Sequence, residues 1–399
     1  MADALVIGAG PAGLIAARTI ALHDFSVTVF EEHEQIGVPN HCAGLLSIEG
    51  LQRLGVEPDS SYIQHTILGG RIYSPDGTCI EIRDSKPRAY VVDRTKLDLL
   101  LAIKAENAGA KLCMGTRVKS INIENGNVRG VITTKHSVTG RITLDAEGPS
   151  RRLLNNTKLI NNKKEPLIGI NVEAEAEIDS GIVELWFNKE YSKGLFAWVI
   201  PTGDRSVRIG LATRDRDVQS NLEKFIHRRF GDIKHGKIHT GLVLTDGPLT
   251  RTSFGGLLLV GDAAGHVKPT TGGGVIMGGL CSIEAGLTAV KLLENNDSSE
   301  SSFSIYDAAW KRKYEAEFTS MLKIRQLIDN LSDNSIDRAF HAVKEENLDS
   351  ILTDLIKYGD MDLQGEVIKR ALLNPRVAAL LFKVLGRYAL SELLGLVNI

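Results

Sequence analysis

Cysteine is scarce in this chain, and its scarcity argues against two kinds of structural site. The 399 residues contain four cysteines, none in CxxC spacing: Cys42, Cys79, Cys113 and Cys281. This number and spacing argue against a disulfide framework or a zinc site and fit a reducing cytoplasm. Cys79 and Cys113 lie in strand-like runs, where a buried thiol is the plain expectation.

Three further absences narrow the function. The formal net charge is −2, so the total charge gives no support for nucleic-acid binding. The first residues lead directly into an apolar strand, without a charged leader or a cleavage site, so we expect no secretory signal. No window of about 18 residues is both apolar and uncharged, so we expect no membrane-spanning helix. What is present is an ordinary globular composition, 43% hydrophobic and 24% charged.

The first thirty residues have the pattern of a nucleotide-binding unit. Residues 4–7 form a short apolar run that suits one buried parallel strand. Small and apolar residues over 14–22 predict a closely packed helix, and β-branched and aromatic residues over 27–30 predict a second strand. A glycine-rich turn, Gly8–Gly13, separates the first strand from the helix. This order predicts a strand–turn–helix–strand unit.

Each glycine of the turn has its own physical role. Gly8 permits the tight turn, Gly10 lets backbone amides approach a pyrophosphate, and Gly13 lets the helix pack against the strand. The helix N-terminus adds partial positive charge and N–H donors. Glu31, eighteen residues after Gly13 and followed by Glu32, can accept both hydroxyls of an adenosine ribose. We therefore predict a dinucleotide site here.

Two further residues follow the unit in positions suited to chemistry. Cys42 lies in a polar loop over 33–44, and loops that leave the carboxyl ends of parallel strands line the ligand crevice. A merely packed thiol is the alternative. Arg94 lies in the first turn of a predicted helix, where a cation opposes the helix dipole. A phosphate or flavin contact and a purely structural role both stay open for it.

A second glycine-rich region follows the buried strand 257–260. Gly261 and Asp262 begin it, and Gly272–Gly274 stands at the start of a helix of small residues from Val275 to about residue 293. Two glycine turns so close together place two sets of N–H groups near one ligand. The second turn suits the pyrimidine edge of a flavin, which becomes negative on reduction, and Asp262 suits a polyol hydroxyl.

Aromatic residues are few, and four of them fall in strand-like segments of residues 167–215. The four are Trp186, Phe187, Phe196 and Trp198. Such strands suit a sheet that forms one wall of an apolar pocket. The alternative is that these rings fill the core between sheet and helices.

The chain beyond residue 302 is predicted to be helical. Its last segment, Gly365–Ile399, is rich in leucine and holds five basic and two acidic residues. Arg376, Lys383 and Arg387 would share one face of a helix. A basic amphipathic helix lies on an anionic membrane surface; a helix that caps the pocket or contacts another subunit is the alternative.

With these residues described, the sequence resembles the geranylgeranyl reductase family, FAD enzymes of the group that includes p-hydroxybenzoate hydroxylase. The group's FAD pattern is matched over most of residues 1–295. Two motifs are specific to the family: Pro39-x-x-Cys42-x-Gly44 resembles its PxxC loop, and Phe196-x-Trp198-x-Ile200-Pro201 resembles its YxWxFP motif. Ala43-Gly44 replaces the usual Gly-Glu after the cysteine, Phe196 and Ile200 replace Tyr and Phe, and Glu147 replaces the Asp of DGxxS.

The resemblance implies an α/β fold with a Rossmann-like FAD-binding domain, an inserted antiparallel-sheet substrate domain and a C-terminal helical region. We assign residues 1–61, 88–155 and 245–300 to the first, 62–87 and 156–244 to the second, and 301–399 to the third. Cys42 is the implied catalytic residue, with no metal. The implied substrate contacts are His41, Phe196, Trp198 and Pro201. The implied FAD contacts are Gly8, Gly10, Ala12, Gly13, Glu31, Glu32, Cys42, Ala43, Arg94, Val118, Gly261, Asp262, Gly272, Gly273, Gly274 and Val275.

The implied reaction is the saturation of isolated double bonds in geranylgeranyl chains of archaeal-type ether lipids. The electron donor stays open between ferredoxin, a deazaflavin and NAD(P)H, since the sequence contains no second GxGxxG motif. An aromatic or quinone monooxygenase on the same scaffold is the rival enzyme, and a non-catalytic FAD-binding or membrane-associated protein is the other class. We expect a cytoplasmic protein with peripheral contact to the inner face of the cell membrane.

Overall fold

A parallel sheet built from the first residues of the chain is the centre of the fold. The computed structural model describes residues 2–160, 165–357 and 359–383. Its first elements are β1 (Ala2–Ile7), α1 (Pro11–Ala21) and β2 (Val27–Phe30), and β1 pairs with β2 in parallel. The predicted strand–turn–helix–strand order is confirmed. Because both faces of β1 are covered, its residues from Ala4 onward are buried, as parallel strands require.

The other elements follow in chain order. The strands of the described residues are β3 (Leu45–Ser47), β4 (Ile63–Ile67), β5 (Gly69–Tyr73), β6 (Cys79–Arg83), β7 (Ala89–Val92), β8 (Lys111–Cys113), β9 (Val118–Glu124), β10 (Asn127–Thr133), β11 (Ser137–Asp145), β12 (Leu167–Glu175), β13 (Ile182–Trp186), β14 (Ala197–Pro201), β15 (Ser206–Thr213), β16 (His239–Val243), β17 (Ser253–Phe254) and β18 (Leu257–Leu259). Their helices are α2 (Ile48–Arg53), α3 (Arg94–Asn107), α4 (Arg152–Asn155), α5 (Val218–Phe230), α6 (Gly261–Ala264), α7 (Val275–Glu294), α8 (Glu300–Asn330), α9 (Asp333–Glu345), α10 (Asp349–Lys357) and α11 (Gly365–Leu373).

The first sheet joins strands that are distant in sequence. Its order is β17-β18-β11-β1-β2-β8, with β9 and β10 attached through β11. The carboxyl ends of β1, β2, β11 and β18 therefore meet at one edge, where a ligand binds in folds of this kind. The hairpin β9–β10 turns at Asn125 (φ 52°) and Gly126 (φ 79°), both in the left-handed region. The sequence predicts this hairpin, because an Asn-Gly pair lies within the alternating pattern of residues 118–132.

The second sheet has the order β16-β12-β15-β14-β13-β5-β6 and brings residues 69–83 together with residues 167–243. Its pairings are antiparallel except between β5 and β13, which run parallel. Strands β3, β7 and β4 form a small third sheet that shares no strand pairing with the other two. The predicted fold class is confirmed by this arrangement; the exact domain boundaries stay a prediction.

One strand of the second sheet was not predicted. The sequence pattern predicts strands at 66–68 and 78–82, with a turn at 74–77 between them. In the structure β4 ends at Ile67, and the strand that pairs with β6 is β5. Strand β5 begins with two glycines, and because glycine has a low strand propensity, the sequence pattern does not predict a strand there. They are needed for close pairing: a Cβ on Gly69 would overlap the carbonyl oxygen of Ile82.

Helix α7 is both long and strongly apolar. It is long and apolar enough to cross a membrane by length and composition alone, yet 78% of its most apolar window is buried inside the protein. The cause is close packing: a Cβ on Gly286 would overlap Thr19 of α1, and one on Gly279 would overlap Leu54 and Ile15. The helix is therefore part of the main core.

The C-terminal region is mainly helical over its described residues, as predicted; residues 358 and 384–399 of the predicted region lie outside them. Helix α8 is tied to the first sheet because the Tyr306 hydroxyl donates to the Leu259 carbonyl (2.9 Å) and the Trp310 Nε1–H donates to Thr252 Oγ1 (2.9 Å). Helical backbone also spans residues 375–383. Of the predicted basic face, Arg387 lies outside the described residues.

Candidate functional site

The glycine turn between β1 and α1 is shaped for a bulky ligand. Gly8 has φ +94°, and a Cβ there would overlap the Ala146 carbonyl. A Cβ on Gly13 would overlap the Gly8 carbonyl, so the helix and strand meet there. Gly10 differs, because a Cβ on it would meet nothing within 4 Å. Gly10 also caps α1 without a side-chain hydrogen bond, and Pro11 is at the first helical position. Space and N–H donors therefore face the same point, which suits a pyrophosphate.

The Glu31 carboxylate lies directly beside this turn. Its Oε2 accepts a hydrogen bond from the Ala9 N–H (2.8 Å). Its Oε1 accepts one from the backbone N–H of His33 (3.0 Å) and lies 2.6 Å from the Nδ1 of the same residue. The side chain is only 12% exposed. The sequence predicted a ribose acceptor at this position, and the structure places the carboxylate at the carboxyl end of β2 with its oxygens fixed by backbone donors.

Two other predicted contacts lie further out. Glu32 forms an ion pair with Arg117 (3.3 Å) between two exposed side chains. Val118 starts β9, and its side chain is buried in an apolar cluster with Phe30. Its backbone is therefore the part of Val118 available to a ligand, so its assignment as an FAD contact stays a prediction.

The second glycine region meets the first. A Cβ on Gly261 would overlap the Ala12 side chain, so α6 approaches the start of α1 closely. A Cβ on Gly274 would overlap the Asp262 carboxylate, so the start of α7 lies against that group. Burial raises the pKa of Asp262, and the charges of Arg94 and Arg151 oppose the rise. The two glycine turns therefore lie close together in the structure, as the sequence predicts.

The three consecutive glycines form the start of α7. Gly272 has φ +72°, and the Gly273 carbonyl accepts the N–H of Lys268 (3.0 Å). Gly274 caps α7 without a side-chain hydrogen bond, and Val275 is its first residue. The helix N-terminus thus has backbone donors and partial positive charge at a position where side chains are absent.

Arg94 connects this region to Cys42. Its Nε and Nη2 donate to the two oxygens of Asp98 (3.0 Å each), and both side chains are nearly buried. Burial alone lowers the pKa of Arg94, but the Asp98 carboxylate and a hydrogen bond to the Cys42 sulfur raise it above its ordinary value. The guanidinium therefore stays charged between Cys42 and Asp262. Asp98 offsets the unfavourable helix dipole, which sequence reasoning did not foresee.

The backbone around Cys42 is held on both sides by the second sheet. Asn171 of β12 donates from Nδ2 to the His41 carbonyl (3.2 Å), and Arg208 of β15 donates from Nη1 to the Ala43 carbonyl (2.7 Å). Within the loop, the Cys42 N–H donates to Asn40 Oδ1 (3.1 Å) and the Gly44 N–H to Cys42 Sγ (3.4 Å). The loop backbone on either side of Cys42 is therefore fixed by two strands of the second sheet, and the sulfur accepts one hydrogen bond from within the loop.

Sequence reasoning missed Arg208 and Asn171. Arg208 is 5% exposed, and its remaining donors reach Glu173 Oε1 (2.7 Å) and Gln64 Oε1 (3.3 Å). The available signal was an isolated arginine inside the otherwise apolar run Val207–Ala212. A charge in such a run is buried only when paired and hydrogen-bonded.

Replacing Arg208 with methionine should lower turnover about tenfold or more, because a small displacement of a reacting group is costly. Flavin content should change little, since Arg208 contacts neither glycine turn in the described hydrogen bonds. Arg205→Met is the matched control, because Arg205 is exposed at the start of the same strand. Steady-state kinetics and flavin absorbance give the two readouts. Equal turnover in both variants would contradict a positioning role.

Three of the four predicted aromatic residues, Phe187, Phe196 and Trp198, form a packed cluster beside this loop, whereas Trp186 belongs to another cluster, where it stacks on Tyr73. Phe196 (7% exposed) and Trp198 (8%) contact edge to face, with ring centres 6.4 Å apart. Ala43 and Met361 pack against the same cluster, and Pro201 ends the buried strand β14. An apolar surface therefore lies next to Cys42, although the rings also fill the core as the alternative proposed.

His41 lies at the outer edge of this region. Its side chain approaches β16, where a Cβ on Gly241 would overlap it. Burial lowers the pKa of His41, and the nearby His239 and His33 lower it further. A neutral imidazole at the loop edge is compatible with an apolar ligand; its assignment as a substrate contact stays a prediction.

Glu147, which replaces the aspartate of the family's DGxxS motif, has a structural role. Its two oxygens accept the N–H groups of Leu153 (2.7 Å) and Leu154 (2.9 Å), so Glu147 caps the short helix α4. Arg151, which sequence reasoning missed, then donates from Nε to the Ala263 carbonyl (2.9 Å). The two residues join the turn after β11 to α6.

No other centre competes with this site in the described part of the chain. Residues 2–160, 165–357 and 359–383 contain no group of three or more His, Cys, Asp or Glu residues that could hold a metal. Two surface cavities, of about 530 and 280 Å³, have mainly polar or charged linings and do not include Cys42 or either glycine turn.

Comparison with known proteins gives three findings. A family described as FAD binding domain matches residues 1–278. Digeranylgeranylglycerophospholipid reductases of Methanocaldococcus jannaschii and Methanosarcina acetivorans are each 31% identical, cover 89% of this chain, and are themselves covered to 93% and 92%. The crystal structure of a geranylgeranyl bacteriochlorophyll reductase-like protein from Thermoplasma acidophilum has a TM-score of 0.82 at 23% identity, with 99% of both chains covered. This last likeness concerns the fold.

Proposed function

The chain belongs to the geranylgeranyl reductase family of FAD-binding proteins, and from this we propose that it saturates isolated double bonds of geranylgeranyl chains in archaeal-type ether phospholipids. The relatives of highest similarity reported above carry that activity in their names. The single observation that carries the proposal is the placement of Cys42. Its neighbour Ala43 packs against the apolar cluster of Phe196 and Trp198, and Arg94 lies close enough to act on both Cys42 and Asp262.

The residues present fit FAD. The space at Gly10 and the N–H donors of α1 suit the pyrophosphate, and Glu31 lies where the ribose hydroxyls would be. Asp262 would hold a hydroxyl of the ribityl chain, and Gly272–Gly274 would hold the pyrimidine edge. FAD bound there and reduced by an electron donor would supply the hydride.

The remaining chemistry belongs to the chain itself. An isolated alkene has no carbonyl to accept electron density, so a proton must reach one carbon as a hydride reaches the other. The Cys42 thiol is the candidate proton donor, in a loop whose backbone Asn171 and Arg208 hold and whose next residue, Ala43, packs against the apolar cluster. A thiol is a weak acid, so alignment with the alkene carbon within about 3–3.5 Å is the larger part of its contribution.

An anaerobic turnover experiment tests the function. The FAD-loaded protein, reduced with dithionite, is incubated with a digeranylgeranylglycerophospholipid, and the lipid is analysed by mass spectrometry. We expect two added hydrogens for each reduced bond. Oxygen consumption coupled to hydroxylation of an aromatic substrate, with no lipid reduction, would favour the monooxygenase. Bound FAD that no donor reduces would favour a non-catalytic protein.

We further propose that the electrons come from an external carrier. Ferredoxin, a reduced deazaflavin and NAD(P)H are the three candidate classes, and stopped-flow mixing with each identifies the donor by the rate at which FAD absorbance is lost. A rate below lipid turnover excludes a candidate.

Replacing Gly10 with alanine should weaken FAD binding about tenfold or more while leaving the apo-protein folded. The reason is that a Cβ here meets only open space in the protein (φ −74°), whereas it points toward the space proposed for the pyrophosphate. Gly203→Ala is the control, because its Cβ would have only an ordinary contact with Ser206. FAD titration and thermal melting of the apo-protein separate the two effects. Unchanged affinity in Gly10→Ala would contradict the assignment.

We also propose a cytoplasmic protein with peripheral contact to the inner face of the membrane, supported by exposed Leu373 and Phe382 near the basic residues of 365–383. Several of those basic groups already have protein partners: Arg370 pairs with Glu366, and Arg376 donates to the Glu346 carbonyl. Removing residues 365–399 should weaken binding to anionic liposomes. Equal binding by the full and shortened chains would refute the contact.

A further inference from the structure

Lys268 shapes the three-glycine turn with its backbone. Its N–H donates to the Gly273 carbonyl (3.0 Å), and its own carbonyl accepts the Gly272 N–H (2.8 Å). These two hydrogen bonds close the loop that begins α7. No family motif described above includes Lys268.

The Lys268 side chain is buried beside the same turn. Its Nζ donates to Asp362 Oδ1 (2.7 Å) and to the Met361 carbonyl (3.2 Å). Lys268 has a side chain only 13% exposed, and that of Asp362 is 1% exposed. The other Asp362 oxygen accepts the Ser47 hydroxyl. A largely buried ion pair therefore joins the C-terminal region to the loop.

The pair is oriented with its positive end toward the glycines. A Cβ on Gly273 would lie 3.0 Å from Lys268 Cε and 3.7 Å from its Nζ, whereas no atom of Asp362 is among the three nearest. Charges in a weakly polarisable interior act over longer distances than in water. Adding electrons to FAD places negative charge on the pyrimidine edge, which the three-glycine turn is proposed to hold.

We propose that the Lys268–Asp362 pair sets the reduction potential of the bound FAD, with Lys268 favouring the reduced form and Asp362 limiting that effect. Both act through the turn as positioning residues. The proposal rests on FAD binding and on the pyrimidine edge lying at Gly272–Gly274. It does not depend on the lipid substrate, so it can fail while the reductase activity stands.

Asp362→Asn is the main test, in FAD-loaded full-length protein without lipid. Asparagine can still accept from Lys268 and donate to Ser47, but it leaves the ammonium uncompensated. We expect the midpoint potential, measured by dye-coupled reduction, to rise. The double variant Lys268→Met with Asp362→Asn should return close to the parent potential, because it contains neither charge.

Glu284→Gln is the matched control. Glu284 is also a nearly buried carboxylate paired with a lysine, Lys313 (2.6 Å), but it lies nine residues after Val275, about 14 Å along α7. Its potential should equal the parent's. If Asp362→Asn fails to retain FAD, Lys268→Met carries the test with an expected lower potential. An unchanged potential in Asp362→Asn, or an equal rise in the double variant, would overturn the proposal.

Discussion

Replacing Cys42 with alanine should lower lipid reduction by about 100-fold or more, the size expected for loss of a positioned proton-transfer group, while FAD content stays close to that of the parent. The thiol is the proton-bearing side chain at the point where the loop meets the apolar cluster. Its sulfur also accepts from the Gly44 N–H and contacts Arg94, so alanine removes one contact from each. Those losses are local, because Asn171 and Arg208 hold the loop through its backbone carbonyls.

Cys42→Ser separates proton delivery from positioning. A hydroxyl keeps the shape and a hydrogen-bonding proton but is a much weaker acid than a thiol. If Cys42 delivers the proton, serine should be nearly as slow as alanine; if Cys42 only positions the lipid, serine should recover much of the rate. Cys79→Ala is the control, since Cys79 lies on β6 at the far edge of the second sheet. Parent-like turnover in Cys42→Ala would exclude both roles.

The parts of the site that the sequence predicted are those fixed by local pattern. The unit β1–α1–β2, the hairpin at Asn125 and the helix starting at Val275 each follow from residues within a few positions of one another. Turn glycines, β-branched strands and cap positions act over such short ranges. The contacts of the turn glycines can be predicted in the same way. At Gly8, for example, the positive φ and the close approach of the Ala146 carbonyl leave room for few residues other than glycine.

The parts that the sequence did not predict are joined by long-range contacts. Arg208 reaches the Ala43 carbonyl across 165 residues, and Lys268 reaches Asp362 across 94. No local sequence pattern around one partner indicates the other. Tertiary packing brings them together: the second sheet packs against the loop of Ala43, and the C-terminal region packs against the loop of Lys268. Arg94 shows the intermediate case. Its position was predicted, but its neutralising partner Asp98, one helical turn away, was overlooked.

A buried histidine behind the second glycine region makes stability depend on pH. His266 is fully buried, with its ring centre 4.9 Å from that of Trp310 and 5.9 Å from that of Phe318. Neither ring nitrogen has a hydrogen-bond partner among the described residues. Burial, together with a smaller contribution from the Arg151 charge, lowers the pKa of His266 to about 3. The folded protein therefore holds this imidazole neutral where an unfolded chain would protonate it.

The sign of the effect follows from that difference in protonation. Below the ordinary histidine pKa of about 6.5, the unfolded chain binds a proton that the folded protein does not bind until about pH 3. The free energy of unfolding should therefore decrease as the pH is lowered through this range. The contribution of His266 to that decrease approaches about 1.4 kcal/mol per pH unit. His266→Phe should remove this contribution and flatten the curve measured by urea unfolding at fixed excess FAD.

His266→Gln distinguishes the titration from the packing. Glutamine remains polar and buried among Tyr306, Trp310 and Phe318, so it should lower stability at every pH, because an unpartnered buried polar group costs about 1–3 kcal/mol. It does not titrate, however, so its pH slope should match that of His266→Phe. Two flattened curves displaced from each other would assign the slope to the imidazole. A glutamine curve parallel to the parent would instead assign the slope to carboxyl groups whose pKa the fold lowers, such as Asp360. Asp262 is not such a group, because burial raises its pKa: the folded protein then binds the extra proton, so acid should strengthen folding through Asp262 and weaken it through His266.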